Sequence, residues 1–193
     1  MRKILESLYL LSGYVAAGLI AAIALIVTIQ VSLNITDQIA IRITGTAIGL
    51  TVPSYSDFTG FFLAAASFLA LAYTLREGGL IRVNLFLQRL SYKSRRILEF
   101  WSIGLAMSVS IYFTIYSFRL VHESYSFEDV SPGIIAVPIW IPQLAMAIGL
   151  LILSIAFIDE FVQIIRGKPT SYEGKGENLL LEIIPIKSTS TKT

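Results

Sequence analysis

The stretch LREGGLIRVNLFLQRLSYKSRR, residues 75–96, separates two long apolar runs and carries six of the chain's fifteen Lys/Arg residues. Arg82, Arg89 and Arg96 recur every seventh residue and Lys93 follows Arg89 by one helical turn, so a helix here stacks all four on one stripe. Ile81, Leu85 and Leu87 then lie elsewhere around it. This spacing predicts a short basic amphipathic helix near 81–92, resting on a membrane surface between two spans.

The composition agrees with a membrane setting. The chain is 55% hydrophobic and 15% charged, against about 25% charged in soluble globular domains, and its mean hydropathy is +0.73. Charged residues are absent from 7–36, 58–75, 100–118 and 130–158. A bilayer crossing needs about 20 apolar residues, so four crossings are expected, near 8–33, 59–75, 97–118 and 138–158. None of these runs has the charged face of a soluble amphipathic helix. The first continues well past the small residues Ala22-Ile23-Ala24, which makes it a retained span rather than a cleaved signal of about 7–15 apolar residues. The expected fold is an all-α integral membrane protein with four transmembrane helices plus the interfacial helix. Residues 1–166 would form the membrane domain and 167–193 a polar tail, interrupted by the apolar stretch 179–186.

Charge distribution orients the chain. With the N-terminus inside, Arg2, Lys3, the six basic residues of 75–96, Arg166, Lys168, Lys175, Lys187 and Lys192 all lie on the cytoplasmic side. Only Arg42 and Arg119 lie outside, a strong positive-inside bias that places both termini in the cytoplasm. The second outer loop is acidic, with Glu123, Glu128 and Asp129, and is a candidate docking surface. In the first outer loop, 34–57, the alternation Ile39, Ile41, Ile43 suits a short extended segment, and Asp57 reads as the N-cap of the second span. Pro138 or Pro142 suits the first turn of the fourth helix. If Pro138 opens it, Pro142 should bend its second turn. Trp140 matches the outer aromatic belt and Trp101 the inner one.

Catalytic chemistry is sparse. His122 is the one histidine and there is no cysteine, so a bis-histidine haem, a thiolate metal site and a disulfide are all excluded within this chain. No nucleophile elbow, zinc-protease motif or phosphate loop occurs. No cofactor or nucleic-acid partner is expected. The spans lack the central ionisable residue of a self-sufficient transporter, the first-span acid of small multidrug exporters included. Spacings such as Gly13-Ala17, Ala17-Ala21, Ala66-Ala70 and Gly104-Ser108 suit helix packing. The chain therefore reads as an accessory subunit.

Residues 75–96 resemble the pattern (L)R-x-G-G-H-I-R-V-D-x-L of the small membrane subunit of TRAP transporters (DctQ/SiaQ type), which are tripartite, ATP-independent periplasmic uptake systems. Arg76, Gly78, Gly79 and Arg82 match, whereas Leu80 and Asn84 stand where relatives carry His and Asp. Any polar role of those two side chains in relatives is not carried over. The similarity extends to length, four spans, and a Pro138-Ile139-Trp140-Ile141-Pro142 segment followed by Gly149, and covers roughly 8–166. The resemblance implies a larger membrane subunit that holds the sodium and substrate sites. It also implies a periplasmic solute-binding protein that delivers a solute, commonly an organic acid. The small subunit would brace the large one in a bacterial or archaeal cytoplasmic membrane. Gly78-Gly79 would bend the chain into the flat helix, and Arg82, Arg89, Lys93 and Arg96 would contact lipid or partner, each contributing on the order of 1 kcal/mol near anionic lipid. Readings from other classes are a membrane-anchor subunit of a respiratory or other enzyme, which would show a haem or flavin spectrum with its partner, and an independent four-helix channel or exporter.

Overall fold

The computed structural model describes residues 2–77 and 92–166, with side chains in 4–77 and 97–166. Four helices follow one another: α1, Arg2–Thr44; α2, Tyr55–Arg76; α3, Tyr92–Ser126; and α4, Trp140–Ile165. Each is long and apolar enough to cross a membrane. The interfacial helix expected near 81–92, with Gly78, Gly79, Arg82 and Arg89, lies outside the described residues, as does the tail. Lys93 and Arg96 fall in the first turns of α3.

The first three helices outrun their charge-free runs at both ends, and α4 outruns its run at the C-terminal end. From residue 19 to 44 the sequence contains no Gly or Pro, so nothing interrupts α1 until Gly45. That glycine adopts φ +76° and donates its N–H to the Ile41 carbonyl at 2.9 Å, closing the helix in a left-handed cap. The extended segment expected at Ile39, Ile41 and Ile43 is therefore helical. Ile35, Ile39 and Ile43 recur every fourth residue, and that helical period overrides the two-residue alternation. Asp57 is not the N-cap of α2. Ser54 holds that position, at φ 53°, and Asp57 sits in the first turn, where a carboxylate complements the helix dipole. His122 and Glu123 belong to the last turn of α3 rather than to a loop.

At the opposite turn, Glu128 N–H donates to the Tyr125 carbonyl at 3.4 Å and Asp129 N–H to the Ser124 carbonyl at 3.0 Å. With Glu128 at φ 53° this is a Schellman closure of α3, with glutamate in the place glycine usually takes. Pro138 precedes α4 and pairs with Val130 in an isolated antiparallel bridge. Pro142 is the third residue of α4, in a turn whose N–H groups lack partners anyway, so the condition for a second-turn bend does not arise.

The packing order differs from the chain order. α1 lies along α2, α2 along α4, and α4 along α3, whereas α1 barely touches α4. The result is a single layer, α1-α2-α4-α3, with α1 and α3 at its edges and α2 parallel to α4 inside. Its seams are lined by small side chains. Ala16, Ala66, Ala72 and Ala156 form a buried cluster with Tyr9, Leu69, Leu75 and Ile152. Lipid is as apolar as leucine, so these helices gain by close van der Waals approach rather than by leaving water. Small residues permit that approach. Gly13 faces the Tyr73 ring and Gly149 meets the α2 backbone at Phe68 and Leu69. Ala17 and Ala21 instead face outward, so their spacing packs nothing within the chain.

The α3–α4 seam is polar. Ser154 Oγ lies 2.7 Å from Ser110 Oγ and 2.9 Å from Thr114 Oγ1, all three buried, and Thr114 donates to the Ser110 carbonyl at 2.8 Å. One consistent donor chain follows: Ser110 to Ser154, Ser154 to Thr114, and Thr114 to the backbone. Interhelical hydrogen bonds in membranes average about 0.6 kcal/mol and reach about 1.7. Ser154→Ala, which removes two of them, should cost roughly 1–2 kcal/mol, read as a lower thermal midpoint in detergent. An unchanged midpoint would mean that the seam is held by shape alone.

Candidate functional site at the two ends of the layer

At the end that carries the N-terminus, the Arg76 guanidinium donates to Glu6 Oε1 at 2.6 Å and lies 5.4 Å from the Tyr9 ring centroid. Tyr9 is buried, and its hydroxyl has no hydrogen-bond partner among the described residues. On α4, Gln163 donates to Asp159 Oδ2 at 3.1 Å, and Glu160 beside it is buried. The Glu6–Arg76 pair joins α1 to α2 beside a cleft of about 240 Å³ lined by Glu6, Tyr9, Leu10, Tyr73, Arg76 and Glu77. Of the connector's basic residues, Arg76 is the one whose side chain is described, and its partner is within the chain. Glu6, Tyr9, Asp159 and Glu160 were not singled out. Their signal is faint: each lies at the margin of an apolar run, where a charge reads as the end of a span rather than as part of a cluster.

At the other end, two connections are fastened to each other. Gln30, buried in α1, accepts the Val52 N–H at 2.8 Å, and Asp37 accepts the Ile48 and Gly49 N–H groups at 2.6 and 2.9 Å. These bonds hold the segment after α1 back along the helix. Ser54 Oγ then accepts the Ile135 N–H at 2.9 Å, joining the α1–α2 connection to the α3–α4 connection. Gly133 is pressed so closely on Ser54 and Asp57 that a Cβ there would collide with both side chains. Within the second connection, Ser131 accepts the Val137 N–H at 3.1 Å, and Ile139 N–H donates to the Asp129 carbonyl at 3.0 Å. Trp140 stacks edge-on against Tyr125 at 5.7 Å. Glu123, Glu128 and Asp129 thus sit on a braced surface, Glu123 on the helix and the other two in its cap.

Among the described residues, no three His, Cys, Asp or Glu side chains converge on a metal-sized site. Among the same residues, the single layer of helices encloses no passage. The sequence pattern of the family described as "Tripartite ATP-independent periplasmic transporters, DctQ component" matches residues 35–167, more than half of the chain. The chain belongs to the DctQ family. It is a small permease subunit of a TRAP transporter and a transporter component rather than an enzyme. No curated protein and no solved structure matches it. The matched region of this DctQ subunit takes in residues 35–44 of α1, all of α2, α3 and α4, and the basic connector.

Proposed function

We propose that this DctQ subunit braces a large membrane subunit that carries out sodium-coupled uptake of a solute, an organic acid by class, delivered by a periplasmic binding protein. The observation that carries this reading is the open layer. Four spans arranged side by side enclose no pathway, so solute and sodium sites belong to another chain, while both broad faces remain available to hold one. The basic connector and both termini face the cytoplasm in this reading, supported by the weight of Lys/Arg on that side. Arg82, Arg89, Lys93 and Arg96 contact anionic lipid or the partner there. The fastened loops face outward, where Glu123, Glu128 and Asp129 are candidates to meet the binding protein.

Purification of the tagged chain in mild detergent tests the assembly. The large subunit should co-purify, and sodium-driven uptake should require both chains in proteoliposomes. Uptake by this chain alone, or a haem or flavin spectrum in the purified material, would overturn the reading. Because cysteine is absent, single replacements test orientation. Thr46→Cys should react with an impermeant thiol reagent from outside and Ser94→Cys should not, and the reverse pattern would invert the topology.

A further inference from the structure

Ser54 holds the N-cap position of α2 but does not use its side chain as a cap. A serine hydroxyl there ordinarily accepts an N–H from the first turn of its own helix, and Ser54 makes no such bond. Its carbonyl joins α2 in the usual way, accepting the Asp57 and Phe58 N–H groups at 3.0 and 3.2 Å. The hydroxyl is turned instead to the α3–α4 connection, where it accepts the Ile135 N–H at 2.9 Å. The residue also stands at φ 53°, a left-handed backbone that serine adopts at a cost.

The other side of the contact is shaped to match. Gly133, two residues before Ile135, lacks a Cβ where one would collide with Ser54 Oγ and the Asp57 carboxylate. Ser54 is buried between them. The segment it grips is otherwise held by its own bonds, from Ser131 to Ile135 and Val137, and its Ile134 is 85% exposed. A forgone cap and a left-handed backbone both work against local stability. Such conflicts persist where the surrounding structure over-determines them, and they gather at functional positions.

We propose that Ser54 is a positioning residue, which holds 131–137 against the start of α2 and so makes the two connections one preorganised surface for the delivering protein. The inference rests on the proposed docking of the binding protein at these loops. Preorganisation matters there because a loop that must be ordered on contact subtracts that cost from affinity. The acidic residues belong to the same unit. Asp129 is bonded through its carbonyl to the Ile139 N–H, and Val130 is bridged to Pro138. Ser54 is itself buried, so it acts through Ile135 and Gly133 rather than by touching the partner.

The test titrates the purified binding protein onto the complex of both membrane subunits in nanodiscs. Ser54→Gly removes the hydroxyl and relieves the left-handed backbone together, so the thermal midpoint and retention of the large subunit should stay close to those of the unmodified chain. Amide exchange in 131–137 should nonetheless quicken. The Kd for the binding protein should rise about fivefold, the equivalent of one net hydrogen bond. Ser54→Ala keeps the backbone strain and should show the same two changes with a lower midpoint. Unchanged exchange in Ser54→Gly would mean that the hydroxyl holds nothing, and faster exchange with an unchanged Kd would mean that the grip serves the fold alone. Either result overturns the proposal. The double variant E128K/D129K separates it from the reading beneath. If that variant also leaves the Kd unchanged, or the unmodified complex captures no binding protein, docking at these loops is itself refuted.

Discussion

Replacement of Gly149 by valine should break the layer at its centre. An added Cβ at this position would lie 2.6 Å from the Phe68 carbonyl carbon, 2.7 Å from its oxygen and 2.8 Å from the Leu69 nitrogen. All three are backbone atoms of α2, so no rotamer change relieves the collision and the two helices must separate. Overpacking a core costs about 1–3 kcal/mol even where side chains can yield. With backbone opposing backbone, the expected loss is about 3 kcal/mol or more, with a large fall in the yield of monodisperse protein. Gly149→Ala should be intermediate. Gly18→Ala is the control, because a Cβ there meets nothing within 4 Å. It should be neutral or stabilising, since alanine is favoured over glycine in a helix by up to about 1 kcal/mol. Equal thermal midpoints for Gly149→Val and the unmodified chain would refute the close approach of α2 and α4.

Arg76→Ala is expected to have the next largest effect on stability. The guanidinium side chain is 17% exposed and that of Glu6 is 42% exposed, so the pair is less screened than a surface ion pair without being desolvated. The substitution removes a charge-assisted hydrogen bond of about 1.5–3 kcal/mol and a ring contact of about 0.5–1 kcal/mol. Some solvent screening remains, so the expected loss is about 2–3 kcal/mol. Lysine should recover part of it, because an ammonium keeps the charge but neither the planar fork nor the stack on Tyr9. A double-mutant cycle with Glu6→Gln isolates the pair. A coupling of at least about 1 kcal/mol is expected, and a coupling near zero would show that Arg76 acts through something other than Glu6.

Gly149 and Arg76 also mark how far the sequence could be read. Both belong to stretches that carry the family resemblance, yet the sequence assigns neither its role. A glycine inside an apolar run shows that something comes close, without showing what. Phe68 is the answer only because α2 and α4 are neighbours, and nothing in the order of spans makes the second adjacent to the fourth. Arg76 reads as the start of a basic connector and turns out to point back at Glu6, seventy residues earlier. The buried polar residues Ser110, Thr114, Ser117 and Ser124 recur at three-, four- and seven-residue intervals, a helical spacing that was not singled out from the sequence. Their partner Ser154 has no such signal, because one serine in an apolar run carries no period.

The C-terminal end of α1 shows a local signal that pointed the wrong way. Ile39, Ile41 and Ile43 satisfy a two-residue alternation, but Ile35, Ile39 and Ile43 equally satisfy a four-residue one. An uninterrupted helix already under way decides between them, because continuing costs less than nucleating anew. The first residue able to stop it is Gly45.

By itself, the sequence determined four helices apolar enough to cross a membrane and the DctQ family. Each depends on what one segment can tolerate in lipid, and exclusion of charge from hydrocarbon acts on each segment independently. The tertiary structure alone decided that the helices stand in one layer, that Gly149 meets the α2 backbone, and that the two loops clasp each other. Those depend on which helices meet and in what register. In lipid that choice comes from shape and a few hydrogen bonds between partners far apart in the chain, not from the hydropathy of either partner.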